Sequence, residues 1–186
     1  MTIAISLLRG INVGGHKKIR MADLRALYAS LGFRQVRALL QTGNVIFQTD
    51  ETDLALVNSR LEAGIRDAFG FYVPVIMRSP AAFKRICQRH PFTEAQLDEP
   101  RKCVVVFLTD APIPQAVDAL RENNPGREVV FADGSELYVF YTDGQARSKL
   151  DNSRIENALG LQSTARNWNT CSKLLKLLEE SEAQGS

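Results

Sequence analysis

QVRALLQTGNVIF, Gln35 to Phe47, is the stretch on which the fold turns. Gln35–Leu39 and Val45–Phe47 suit extended backbone, and Thr42-Gly43-Asn44 joins them at a point where Gly43 can enter conformations costly to other residues. This is a pair of adjacent strands. Outward on both sides the period changes. Met21, Leu24, Leu27, Tyr28 and Leu31 recur at helical spacing with Gly32 as a C-terminal cap, and from Asp53 the positions Leu54, Val57, Leu61, Ile65 and Phe69 form one face of a second helix. Further out, Ile3–Leu8 and Pro74–Met77 are short apolar runs suited to strands. The order is therefore β-α-β-β-α-β, an antiparallel sheet with helices on one face.

The pattern returns after an interruption. Pro80 opens a helix carrying Phe83, Ile86 and Cys87, His90-Pro91 stops it, and the polar run to Pro100 reads as a connection. Cys103–Leu108 is then a strand, and Pro112–Glu122 a helix with Ile113, Val117 and Leu120 inward. Glu128–Ala132 and Glu136–Tyr141 flank the Asp133-Gly134 hairpin. Ser153-Arg154-Ile155-Glu156 reads as a capping box opening a short helix that ends near Gly160, and Gln162–Ala165 supplies the last strand. A terminal helix from about Asn169 buries Cys171, Leu174, Leu175 and Leu178, leaving Glu179, Glu180 and the SEAQGS tail solvated. The expected fold is α+β: tandem ferredoxin-like (alpha-beta plait) units over residues 1–79 and 101–186, with a helical linker over 80–100 and a C-terminal helix. The sheet faces that helices leave open must be wet, cover each other or bind something, so a cleft between the halves is expected.

Composition excludes several classes. A formal charge of +2 does not imply a nucleic-acid partner, although residues 1–50 hold seven Lys or Arg against two acids. Three cysteines without CxxC spacing read as reduced thiols. MTIAISLLRG lacks a basic n-region and reads as a strand rather than a signal peptide, and no run approaches a membrane span, so the expected location is the cytoplasm. His16 and His90 are the only histidines and form no HExxH pattern. No EF-hand or GxGxxG pattern occurs either, so neither metal nor cofactor is expected. Oligomeric state is not set by the sequence.

LLRGINVGGHKKIRMADLR at 7–25, QTGNVIF at 41–47, SKL at 148–150 and TARNWNT at 164–170 together resemble the domain-of-unknown-function 1697 family. The resemblance implies tandem ferredoxin-like units and no characterised activity. Its motif positions fall on Arg9, Gly10, Asn12, Gly14 and Gly15, on Met21 and Leu24, on Gly43 and Asn44, on Ser148 and Lys149, and on Arg166, Asn167, Trp168 and Asn169. Cys171 stands where a β-branched residue is commoner in that family.

Four motifs can carry chemistry. Arg9 to Lys18 contains three glycines and three basic residues, which suits either an anion-binding loop or a long turn positioning the next helix. It is not a GxxxxGK[ST] nucleotide loop, because His16 occupies the lysine position, Lys17 comes one residue late, and Lys18 rather than a hydroxyl residue follows it. Gln41–Asn44 either binds or simply closes its turn. Ser148-Lys149 can contact an anion, with Asp151 as a helix cap or a partner of Lys149. Within Thr164–Thr170, Arg166 suits a phosphate or carboxylate, Trp168 a base or a core, and Asn169 or Thr170 a helix cap. The leading expectation is a small anionic or phosphate-containing ligand bound at the interface of the two halves by Arg9, Asn12, Gly14, Lys17, Lys18, Asn44, Lys149, Arg166, Asn167 and Asn169. The alternatives are an RNA-associated module, with Tyr138, Phe140 and Tyr141 as the best stacking aromatics, and an enzyme of unassigned reaction class.

Overall fold

Seven residues at the start of the chain, Thr2–Leu8, form β1, whose last five positions are all buried. After it come α1 (Met21–Ser30), β2 (Arg34–Leu39), β3 (Asn44–Thr49), α2 (Leu54–Phe69) and β4 (Val75–Arg78). Then follow α3 (Pro80–Gln88), α4 (Glu94–Leu97), β5 (Cys103–Leu108), α5 (Pro114–Glu122), β6 (Val129–Asp133), β7 (Glu136–Phe140), α6 (Asn152–Leu159), β8 (Ser163–Asn167) and α7 (Trp168–Gly185). This computed structural model describes residues 1–185. It divides into one unit of Met1–Arg85 with the residues from Lys173 onward, and a second of Ile86–Ser172. Among the described residues the architecture is mixed α+β, with two four-stranded antiparallel sheets and seven α-helices.

In the first unit the strand order is β2-β3-β1-β4. Ala4 and Leu8 of β1 and Val45 and Phe47 of β3 pack against Leu24 and Tyr28 of α1 and Val57, Leu61 and Ile65 of α2. Ser6 shares that face, and the cost of burying its hydroxyl is offset by a 2.7 Å hydrogen bond with the Tyr28 phenol. Burial pushes that phenol far above its usual range. Asp53 caps α2 by accepting from the Ala55 amide at 2.8 Å.

The second unit repeats the order as β6-β7-β5-β8. Its core joins Val104, Val106 and Leu108 of β5 to Val117 and Leu120 of α5 and Ile155 and Leu159 of α6. The opposite faces of both sheets are closed as well. Ile5, Leu7, Ile46 and Ile76 in one, and Cys103, Val105, Phe107 and Tyr138 in the other, are all at most 2% exposed.

Four local expectations are corrected. Thr93 and Gln96 form a capping box that opens α4 inside what read as a polar connection, because the box supplies the caps a four-residue helix needs. α5 starts at Pro114, which fits N1 because it lacks an N–H, so Ile113 becomes the cap residue and points outward at 66% exposure. Asp151, not Ser153, caps α6 by accepting from the Arg154 amide at 2.8 Å, while Glu156 instead accepts from the Ser163 amide at 2.7 Å. The SEAQGS tail is not wholly solvated. Ser181 is buried and accepts from Arg37 at 3.2 Å, and Glu180 and Glu182 pair with Arg37 and Lys84.

Candidate functional site

Gly10, at φ +66°, turns the chain out of β1, and Ile11 anchors the emerging loop at 1% exposure. Asn12 then adopts φ +56°, a region that Asn enters more readily than most residues. Its side chain explains the choice. The amide donates to the Ile19 and Gln41 carbonyls at 2.9 and 2.7 Å, and its oxygen accepts from the Ile19 N–H at 2.9 Å. Asn12 therefore fastens both ends of its own loop and ties that loop to the Gln41 turn. Gly14 and Gly15 form the exposed tip, closed by the Val13–His16 bridge. Lys17 reaches the Tyr72 carbonyl at 2.8 Å.

The Gln41-Thr42-Gly43-Asn44 turn lies against this loop. The Leu8 amide donates to the Gly43 carbonyl at 2.8 Å. At Gly43, φ is +75°, and a Cβ there would stand 2.6 Å from the Leu8 Cβ and 2.9 Å from the Ile11 Cδ1. Only glycine fits that approach. Asn44 is fully buried, its amide donating to the Leu39 carbonyl and the Thr42 hydroxyl at 3.0 Å each, and Leu40 sits at φ +59°. Among the described residues, three of the four non-glycine positions with positive φ, Asn12, Lys17 and Leu40, are thus in this loop or beside this turn.

Between them and the start of α1 lies a cavity of about 660 Å³, lined in part by Asn12, Gly15, Lys18, Arg20, Gln41 and Phe69. Lys18 is exposed and makes no ion pair among the described residues. The α1 cap position, Arg20, has extended backbone and gives no side-chain hydrogen bond to the helix start. Arg20 instead forks onto Asp23 at 2.7 and 2.9 Å, which holds the Asp23 carboxyl below its ordinary range. That pair offsets its own charge, so Lys18 sets the sign of the cavity.

Lys18 and Asn12 line this cavity, Arg9, Gly14 and Lys17 belong to the loop around it, and Asn44 is built into the turn. Arg20 and Phe69 went unrecognised in the sequence. Phe69 reads there as the last apolar residue of a helix face, and nothing in its spacing distinguishes a cavity wall from core.

The other candidate positions lie in the second unit. The Ser148 hydroxyl bonds to the Glu128 carboxylate and accepts from the Leu150 amide at 2.9 Å, while Lys149 is exposed. Arg166 is buried at 8% exposure, donating to the Thr164 hydroxyl at 2.7 Å and the Ala165 carbonyl at 2.9 Å. Desolvation pulls its guanidinium down to about 10. Asn167 accepts from the Thr170 amide at 3.0 Å and caps α7, the role expected of Asn169 or Thr170; Asn169 is exposed two residues on, within the first turn. Trp168 packs edge-on against His90 and Phe92, with ring centroids 4.5 and 5.7 Å away.

Tyr138 and Tyr141 are each 1% exposed, and their hydroxyls donate to the Ile86 and Leu150 carbonyls. Neither offers a face for stacking a base. Burial, with Glu99 nearby, pushes the Cys103 thiol up to about 11, away from the thiolate a nucleophile requires. Among the described residues no group of three or more His, Cys, Asp or Glu is placed to hold a metal, and no helix is long and apolar enough to cross a membrane.

A family model described as a protein of unknown function, DUF1697, matches residues 1–138. The chain belongs to the DUF1697 family. Every residue lining the cavity lies inside the DUF1697 match. Among solved structures, the conserved bacterial protein SP0830 from Streptococcus pneumoniae is 23% identical, with a TM-score of 0.72 over 95% of this chain and 98% of that one. At that identity the likeness speaks for the fold alone. No curated protein matches this DUF1697 chain.

Proposed function

We propose that this protein is built of two tandem ferredoxin-like units and binds a small anionic, phosphate-containing ligand in the first. The strand orders β2-β3-β1-β4 and β6-β7-β5-β8, each antiparallel with two helices packed on one face, support the architectural part. The observation that carries the functional part is the cavity where the glycine loop and the Gln41 turn meet at the start of α1.

In that cavity Lys18 supplies charge, and Gly15 leaves its backbone open to close approach. The first turn of α1 supplies N–H groups without a side-chain cap, at the positive end of the helix dipole. Asp23 works against an anion at the same helix start, but its bond to Arg20 neutralises it locally. One lysine and one helix end in an open site give weak binding, with a dissociation constant on the order of 1 mM for inorganic phosphate, equivalent to about 4 kcal/mol. A cytoplasmic location is the reading that best suits three free, buried thiols.

The test is titration of the native protein with inorganic phosphate, followed by amide NMR shifts at Gly15, Lys18 and Ala22. Lys18→Ala should weaken binding about 3- to 10-fold, the loss of one exposed charge contact of about 0.7–1.4 kcal/mol. Saturable binding with those shifts supports the assignment. Absence of binding, or binding indifferent to Lys18, rejects it. The RNA-associated alternative has less support, since both faces of the central strands are closed and the two buried tyrosines hold internal hydrogen bonds.

A further inference from the structure

The same cavity says more about its ligand than the charge alone. Its volume of about 660 Å³ lies within the roughly 300–1,000 Å³ of sites that enclose whole organic molecules, far more space than a bare phosphate fills. Its lining is also divided by chemistry. Lys18 supplies the cationic part and Arg20 and Asp23 form an internally neutralised pair, whereas Ile19, Met21 and Phe69 supply apolar surface and Gln41 a neutral amide. Phe69 is the last residue of α2, half-buried, with one part of its ring packed on the core. Phe71 lies beside it, with 6.4 Å between ring centroids and 27° between planes. An aromatic side chain in the same cavity as a lysine that makes no ion pair among the described residues suits a ligand that carries both a planar apolar body and an anionic group.

We infer that the ligand is an aromatic phosphate or phosphonate-like anion whose ring lies on Phe69 while its anionic group meets Lys18. This rests on the anion-binding reading and deepens it. The ring replaces water against Phe69, Ile19 and Met21, and the amide of Gln41 is available to a polar atom on the ring edge.

Two probes with the same headgroup isolate the ring: methylphosphonate and phenylphosphonate, titrated into the native protein by NMR or calorimetry. Phenylphosphonate should bind about tenfold more tightly, as expected for one aromatic pair plus its buried area. Phe69→Leu keeps the apolar volume against the core but removes the aromatic face. It should cut the preference to about threefold or less while leaving methylphosphonate within about twofold. Lys18→Ala should weaken both probes to the same extent. Equal affinity for the two probes, or a preference that survives Phe69→Leu with the fold intact by circular dichroism, overturns this inference and leaves the anion site standing. If neither probe nor inorganic phosphate binds, both readings fall together.

Discussion

Gly43 offers the sharpest single test of how the loop and the turn are assembled. In Gly43→Ala the new Cβ would stand 2.6 Å from the Leu8 Cβ and 2.9 Å from the Ile11 Cδ1, and the residue would keep a φ of +75°. Left-handed backbone costs an alanine roughly 1–2 kcal/mol, and forcing a methyl into a filled space adds about 1–3 kcal/mol. Leu8 is 0% and Ile11 1% exposed, and the contact on Leu8 is a Cβ fixed to the backbone of β1, so neither gives way cheaply. The sum, about 2–5 kcal/mol, compares with total stabilities of about 5–15 kcal/mol. At about 2–4 °C per kcal/mol for a chain of this size, the melting temperature should fall by about 4–20 °C. Gly32→Ala is the control, because Gly32 has φ +83° but nothing within 4 Å of its would-be Cβ. Both variants carry the backbone strain, and only Gly43→Ala carries the collision. Thermal unfolding followed by circular dichroism should therefore separate them by about 1–3 kcal/mol. Equal losses in the two would refute the close packing of the turn on Leu8 and Ile11.

Other expectations follow from the same contacts. Asn12→Gly keeps the positive φ but removes three hydrogen bonds, and should cost about 1–3 kcal/mol in urea unfolding with faster hydrogen exchange at the Ile19 amide. Asp151→Ala should cost about 1 kcal/mol as a lost cap whereas Ser153→Ala should cost almost nothing, and the reverse order would contradict the observed start of α6. Desolvation holds the His90 imidazole below the ordinary histidine value of 6.5, a hydrogen bond at the Phe92 backbone partly offsetting it. Between the folded and the free value the unfolded chain binds the extra proton, so this contribution is complete above pH 6.5 and is lost on acidification. His90→Gln should flatten that part of the stability profile between pH 7 and pH 5, and Trp168 fluorescence, from a ring 4.5 Å away, should report the titration. All three cysteines are free and buried, so a thiol reagent at pH 7.5 should label almost none in the folded protein and three after unfolding. Rapid labelling of the native protein would contradict the burial.

Element type and order were legible because local signals carry them: α2 has a clear period-3.6 apolar face, and β1, β5 and β7 are short continuous apolar runs too brief for helices. The starts of α5 and α6 were harder. Ile113 is apolar and sits at a helical spacing from Val117, yet the proline after it fixes the first turn and leaves it outside. At α6, two residues could accept the capping bond, and only the chain path selects Asp151 over Ser153. Within the site, the glycine loop and the Gln41 turn could be named from their composition, but their meeting depends on Asn12 spanning 29 residues to the Gln41 carbonyl. Phe69 was silent for a related reason. A residue with half its ring in the core gives the same pattern as one wholly inside.

The bonds that Asn12 makes also bear on speed. Because the loop is fastened at Ile19 and at Gln41 by its own bonds, the proposed ligand would find its wall already in place and need not wait for a segment to order around it. Capture and escape would then be quick, governed by diffusion and desolvation, and selectivity would come from a fixed mould rather than from closure. A ligand series should accordingly show its affinity differences in residence time, with arrival rates nearly constant from one member to the next.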